Sequence, residues 1–345
     1  MPPGRTGESG RPAGALCRAA YRAGGALMSR AQESRDDKVS LVEMGPRDGL
    51  QNEAATLSLM QRLELIARLA ESGLQRIEVG AFVSPRKVPQ MADSAALFNA
   101  LPRRGPTRYG ALVPNLQGLQ AAIAARADEI GLFTACSDGF TRANIGISVE
   151  ESLVRFAPLV QEARSLGIKV RGYLSTVIAC PFDGPTRPKR VAAMAERLLD
   201  LGCHEISLGD TIGVGTPGTV APMLDAVLHE IPAGRLAVHF HDTYGQGLAN
   251  LLPALERGIR TIDSSVAGLG GCPYAPGASG NVASEEVVYL LHGLGMSTGV
   301  DLDQLAATGQ WVSEQLGRPN GSRVGRALHA NAERLRTRLC QPSPQ

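Results

Sequence analysis

Two histidines stand one residue apart in Val238-His-Phe-His-Asp242. On a strand, side chains at i and i+2 share one face, so His239 and His241 would present their imidazoles together. Two buried imidazoles are costly unless hydrogen bonds or a metal ion satisfy them. Asp48 supplies a carboxylate and Asn281 an amide oxygen that would complete a two-nitrogen, two-oxygen set. Such a set leaves open octahedral positions for a substrate with adjacent oxygen atoms. It contains no thiolate, which argues against a cysteine-rich structural zinc site. The competing reading is a hydrogen-bonded pair of core histidines. The segment Gly268–Asn281 holds five glycines, two prolines and Cys272. Glycine allows the left-handed and close-approach backbone of a ligand loop, so this segment reads as a lid carrying a thiol. A cysteine in such a loop is a candidate proton donor or nucleophile. Cys136, Cys180 and Cys203, in or near strands, read as small buried apolar groups.

Those groups need a scaffold that brings distant segments to one place. From Lys38 the chain alternates strand-like and helix-like runs. The strand candidates are Val39–Met44, Arg76–Ala81, Arg108–Val113, Glu129–Thr134, Lys169–Leu174, Glu205–Leu208, Leu236–Phe240 and Thr261–Val266. Helix candidates lie between them, at Leu57–Ser72, Val88–Ala100, Asn115–Ala125, Ser148–Leu166, Arg187–Leu201, Thr216–Glu230, Gln246–Arg257 and Val282–Leu294. Serial βα units of this number predict an α/β fold, a (β/α)8 TIM barrel, whose chemistry lies at the C-terminal ends of the strands. That rule collects Arg47 and Asp48 after strand 1, Glu78 on strand 2, Tyr173 on strand 5, Asp210 and Thr211 after strand 6, and Cys272 and Asn281 after strand 8. Arg47 could neutralise charge developing on an oxygen, or form a surface ion pair. Glu78 could act as a base, orient a neighbour, or plug the barrel. Asp210 could orient a ligand or cap the next helix. Arg47, Gln51, Tyr173 and Thr211 are candidate substrate contacts.

The 345 residues fit one large domain with appended elements. Residues 1–37 read as a disordered, arginine-rich extension. It is either a mitochondrial transit segment or sequence upstream of a true start at Met28, the latter favouring a cytoplasmic protein. Residues 38–298 form the predicted barrel, and 299–340 form helices packed on it, at Leu302–Leu316 and Ser322–Leu339. A formal net charge of +2 gives no bulk electrostatic case for nucleic acid or a membrane surface. No apolar run approaches the ~18 residues of a membrane span. The six cysteines form no CxxC pair, as expected of free thiols in a reducing compartment.

Taken together, these segments resemble the 3-hydroxy-3-methylglutaryl-CoA lyase family. The likeness runs from about Val39 to Leu328. It rests on Val42-Glu-Met-Gly-Pro-Arg-Asp-Gly-Leu-Gln-Asn-Glu53, Ala81-Phe-Val-Ser-Pro85, Val88-Pro-Gln-Met91, Ser207-Leu-Gly-Asp-Thr-Ile-Gly213, Val238–Gln246 and the Gly268–Asn281 loop. The strand 1 and strand 7 motifs are shared with Claisen-type synthases, whereas the loop is specific to the lyases. The resemblance implies a divalent cation, Mg2+ or Mn2+, held by Asp48, His239, His241 and Asn281. It implies an essential Arg47, a catalytic Cys272, and active-site roles for Glu78 and Asp210. It further implies an acyl-CoA substrate cleaved to acetyl-CoA and acetoacetate, closing leucine breakdown and feeding ketone body formation, and a homodimer. The runner-up is a condensing synthase, which usually carries a longer C-terminal region. Two positions depart from the pattern: Lys87 stands where the family commonly has tryptophan, and Ala81 replaces a serine of some animal members.

Overall fold

The structure, a computed structural model, describes residues 37–103, 105–271 and 280–339. The expectations for residues 1–36 and for Cys272 therefore lie outside the described residues. Eight parallel strands close a barrel in sequential order. They are β1 (Ser40–Glu43), β2 (Arg76–Ala81), β3 (Arg108–Leu112), β4 (Glu129–Ala135), β5 (Lys169–Ser175), β6 (Glu205–Asp210), β7 (Leu236–Phe240) and β8 (Thr261–Ser264). Closure comes from β1 pairing with β8, with Ser40 opposite Thr261 and Glu43 opposite Ser264. The strands are buried on both faces, as a barrel sheathed in helices requires. One face meets the helices through residues such as Ile77, Val79, Ile130, Leu132 and Ile206. The other carries Glu78, Arg171, Tyr173, Glu205, Ser207 and Asp263 into the interior, and these polar groups belong to the site or its supports.

The helices begin where local chemistry satisfies their free N–H groups. In α1 (Leu59–Glu71) Ser58 and Gln61 form a capping box. α2 is Ser94–Ala100, and Asn115 caps α3 (Leu116–Ala124). Short α4 (Asp138–Ile145) follows β4, and α5 (Val149–Ser165) is boxed by Ser148 and Glu151. α6 (Pro188–Leu201) starts on proline and stops at Gly202, whose φ is +116°. α7 (Pro217–Leu228), α8 (Gly247–Glu256) and α9 (Ser284–Gly293) complete the outer layer. Beyond it, α10 (Leu302–Gln315) packs against α1 and the turn at 266–268, and α11 (Arg323–Leu339) packs on α10 and α9.

Two elements depart from the sequence reading. α4 and a two-stranded antiparallel ribbon, Ala179–Cys180 with Gly184–Pro185, sit in the loops after β4 and β5. Neither carries a periodic apolar stripe. They are held by tertiary contacts: Phe140 and Cys180 pack with Ala135, and Asp183 accepts the Gly139 N–H at 2.8 Å. Cys136, Cys180 and Cys203 are free and buried, and burial pushes the Cys136 and Cys203 thiols up to about 12. Among the described residues no helix is long and apolar enough to cross a membrane.

Candidate active site

The chain leaves β1 through a single π-helical turn, Gly45–Gly49, in which the Gly49 N–H reaches back to the Met44 carbonyl at 3.0 Å. Such turns are rare and concentrate at functional sites. This one carries Arg47 and Asp48 to the mouth of the barrel. It is anchored by Glu43, whose carboxylate accepts N–H bonds from Gly45 (2.8 Å) and Val266 (2.9 Å) and the Ser284 hydroxyl (2.6 Å). One buried carboxyl thus ties the turn after β1 to the segment after β8 and to the start of α9.

Asp48, His239 and His241 each bring a ligand atom within 4.8 Å of the other two. His239 lies on β7. His241 lies just past the end of that strand, where it bridges to Asn281. The two Nε2 atoms face each other at 3.2 Å. Adjacent ligands around one ion, each about 2.1 Å from it, stand roughly 3 Å apart, so this spacing suits a shared cation. Asn281 donates its amide to Asp48 Oδ2 at 2.8 Å, while its own Oδ1 is buried without a partner. Orphaned buried polar atoms of this kind call for a ligand. The residues present therefore fit a divalent metal, and Asp48, His239, His241 and the Asn281 oxygen would hold it. Burial would raise the Asp48 carboxyl, but Arg47, His239, His241 and the Asn281 amide bring it down to about 2. Burial, with His239 alongside, lowers His241 to about 4, which leaves its ring neutral and basic enough to ligate at neutral pH.

Arg47 is buried and held from two sides. Its Nε donates to Glu78 and its Nη1 donates to Asp48 Oδ1 at 2.9 Å. Its guanidinium lies 5.8 Å from the Tyr173 ring centre, and the Tyr173 hydroxyl donates to Glu78 at 2.9 Å. Burial opposes the charge on Arg47, but Glu78 and Asp48 more than restore it. Gly131 makes room for this arrangement: a Cβ there would sit 2.5 Å from the Tyr173 ring. Arg47, Asp48, Gln51, Tyr173, Thr211, His239 and His241 all line one cavity of about 200 Å3. Across it stands an apolar wall of Leu112, Phe133 and Phe140. Glu78 and Asp210 stand behind the lining. Asp210 caps the loop after β6, accepting the Gly215 N–H at 2.8 Å, and burial raises it to about 6 despite that bond.

The described ends of the Gly268–Asn281 loop meet at the same point. Gly270 and Gly280 have φ of +115° and +85°, and a Cβ on Gly280 would lie 2.1 Å from the Gly270 carbonyl oxygen. Asn52 donates to the Gly271 carbonyl at 2.8 Å, tying the loop root to the turn after β1. The two departures from the family pattern differ in setting: Ala81 is buried at the end of β2, whereas Lys87 is exposed.

Sequence reasoning passed over Asp263, which sits on β8 and faces His239 Nδ1 at 3.3 Å. It also passed over Ser207, Asn144 and the apolar wall. The signal for Asp263 was present as an acidic residue inside a short β-branched strand, beside other strand-borne charges at Arg76, Glu129, Arg171 and Glu205.

The HMGL-like family profile matches residues 38–312. The chain belongs to the HMGL-like family. Within that family, a hydroxymethylglutaryl-CoA lyase of Pseudomonas mevalonii is 54% identical over 86% of this chain and 98% of its own length. A Pseudomonas aeruginosa relative named 3-hydroxy-3-isohexenylglutaryl-CoA/hydroxy-methylglutaryl-CoA lyase is 52% identical over 86% and 98%. The mitochondrial lyase of Arabidopsis thaliana is 53% identical, but this chain spans 62% of it. The crystal structure of the hydroxymethylglutaryl-CoA lyase from Pseudomonas aeruginosa superposes with a TM-score of 0.84, covering 86% of this chain and 98% of that one.

Proposed function

We propose that this chain is a hydroxymethylglutaryl-CoA lyase, cleaving (S)-3-hydroxy-3-methylglutaryl-CoA to acetyl-CoA and acetoacetate. The observation that carries the reading is the juxtaposition of Arg47 with the Asp48–His239–His241 cluster on one cavity, in a chain about half identical to lyases so named. A divalent cation, Mg2+ or Mn2+, would supply Lewis acidity toward the C3 hydroxyl and a neighbouring oxygen of the substrate. The protein would do the rest. A base among Asp48, His239 and Glu78 takes the C3 hydroxyl proton. The C2–C3 bond breaks, C3 becomes the ketone of acetoacetate, and the electron pair passes into the thioester as an enolate. Arg47, held by Glu78 and Asp48, faces the charge that develops there. The enolate carbon takes a proton, for which Cys272 is the proposed donor. Gln51, Tyr173 and Thr211 line the space where the acyl group would lie.

The same reading includes a homodimer. It leaves two compartments, cytoplasm or mitochondrial matrix, since relatives of both kinds occur. The deciding experiment is acetoacetate release from 3-hydroxy-3-methylglutaryl-CoA by the purified full chain, with and without chelator and for Cys272→Ser. Metal-dependent turnover that Cys272→Ser reduces strongly supports the reading. Full turnover in excess chelator, or none with any metal, overturns it.

A further inference from the structure

Asp263 lies at the inner end of β8 with both carboxylate oxygens engaged. Arg171 grips it with a bidentate fork, Nη2 to Oδ1 at 2.7 Å and Nη1 to Oδ2 at 2.9 Å. The Ser207 hydroxyl adds a third donor to Oδ2 at 2.7 Å. Arg171 is itself fixed from below, its Nε donating to Glu205 at 2.6 Å. Asp263 is therefore a rigid acceptor, fully buried, and its remaining contact is Nδ1 of His239 at 3.3 Å. A carboxylate surrounded by donors accepts and does not donate, so the His239 nitrogen facing it must carry the ring hydrogen. The other nitrogen, Nε2, then presents its lone pair to the space shared with His241 and Asp48. His241 has no such support, since its Nδ1 is buried without a partner.

We propose that Asp263 is a positioning residue: it fixes the tautomer and ring orientation of His239 and so aims Nε2 at the candidate metal position. This rests on the metal reading of the site and extends it to how one ligand is made ready before any ion arrives. A carboxylate behind a ligating imidazole typically contributes 10- to 100-fold in metal affinity. The contribution to affinity runs through His239, which separates it from the loss of the Arg171 and Ser207 contacts.

The test uses Mn2+ binding to the full chain, followed by calorimetry or electron paramagnetic resonance, on four proteins: the wild type, Asp263→Asn, His239→Ala and the double variant. Asp263→Asn should bind Mn2+ about 10- to 100-fold more weakly than the wild type. In the His239→Ala background the same change should cost less than about twofold, because the residue it serves is gone. An equal loss in both backgrounds, or unchanged affinity in Asp263→Asn, would overturn the assignment. Should Asp263→Asn fail to fold, the wild type still decides: nitrogen-15 spectra of its metal-free, histidine-labelled form should show His239 protonated at Nδ1. An Nε2–H tautomer there would overturn the proposal. Failure of the wild type to bind Mn2+ at all would instead bring down the metal reading beneath it, and that result precedes any variant.

Discussion

At the floor of the barrel, Arg171 uses Nε, Nη1 and Nη2 on Glu205 and Asp263, and Arg76 joins Glu205 to Glu129. At the mouth, Asn281 Oδ1, His241 Nδ1 and Asp210 Oδ1 are buried without partners. Both regions take charged groups out of water, which is costly for each ion. At the floor, mutual hydrogen bonds offset that cost, so the cluster holds the barrel together. At the mouth the cost is left open, and the structure keeps polar atoms ready for something that is not protein. Arg171, Asp263 and His239 form the line along which the two regions meet.

On that contrast, changes at the mouth should remove activity and spare stability, and changes at the floor away from Asp263, which contacts His239, should do the reverse. The largest effect is expected for His241→Ala, with turnover reduced roughly 10³-fold or more as the metal position loses a ligand. Its melting temperature should stay within a few degrees of the wild type or rise, because a buried nitrogen without a partner disappears with the ring. A collapse in stability measured by circular dichroism would mean that the mouth is structural after all. Next comes Arg47→Gln, which on the proposed role of its guanidinium toward transition-state charge should lower kcat about 10²- to 10³-fold with KM changed only a few-fold. A raised KM with unchanged kcat would make Arg47 a ground-state anchor.

The floor gives the opposite test. Arg76→Met strands Glu129 and Glu205 without one of their cations, while the side chain it replaces is 18% exposed. Unfolding in urea should lose about 1–3 kcal/mol, below the 3–5 typical of a fully buried pair. The kcat of the folded enzyme should stay within about twofold. A large fall in kcat at unchanged stability would dissolve the distinction between the two regions.

The sequence shows the mouth more clearly than the floor, and the reason is physical. The His239–His241 spacing, the aspartate after β1 and the glycine-rich segment after β8 are local patterns, and the strand-end rule carries them to one rim. The strands and most helices follow from periodicity, whereas the cap of α1, Ser58, lies inside the helix expected from Leu57. Asp263 and Arg171 are different: each is one charge in a strand, and their meaning comes from a contact across 92 positions. α4 was hidden because its fold depends on Asp183 and Phe140 and not on a stripe of its own. The role of Glu43, which joins three segments by hydrogen bonds, is likewise visible only in three dimensions.

The smallest expected effect concerns the carboxyls that brace the root of the loop after β8. Glu285 accepts the Ala267 N–H on both oxygens at 3.0 Å, and Ala267 holds a left-handed φ of +56°. Burial, with Glu43 and Glu286 nearby, raises Glu285 to about 8, and burial raises Glu43 to about 7. Their ordinary value is 4.5, so the folded protein retains protons that the unfolded chain has released. The sign follows: this contribution to stability is complete below pH 4.5 and is lost as pH rises through about 7 to 8. Each group can add at most about 1.4 kcal/mol per pH unit to that slope. Glu285→Gln keeps an acceptor for the Ala267 N–H but cannot titrate, so its unfolding free energy should vary less with pH across the window from 4.5 to about 8. Parallel stability profiles for the two proteins would show that Glu285 is ionised in the folded state, and the brace would then belong with the charged floor, not with the unsatisfied mouth.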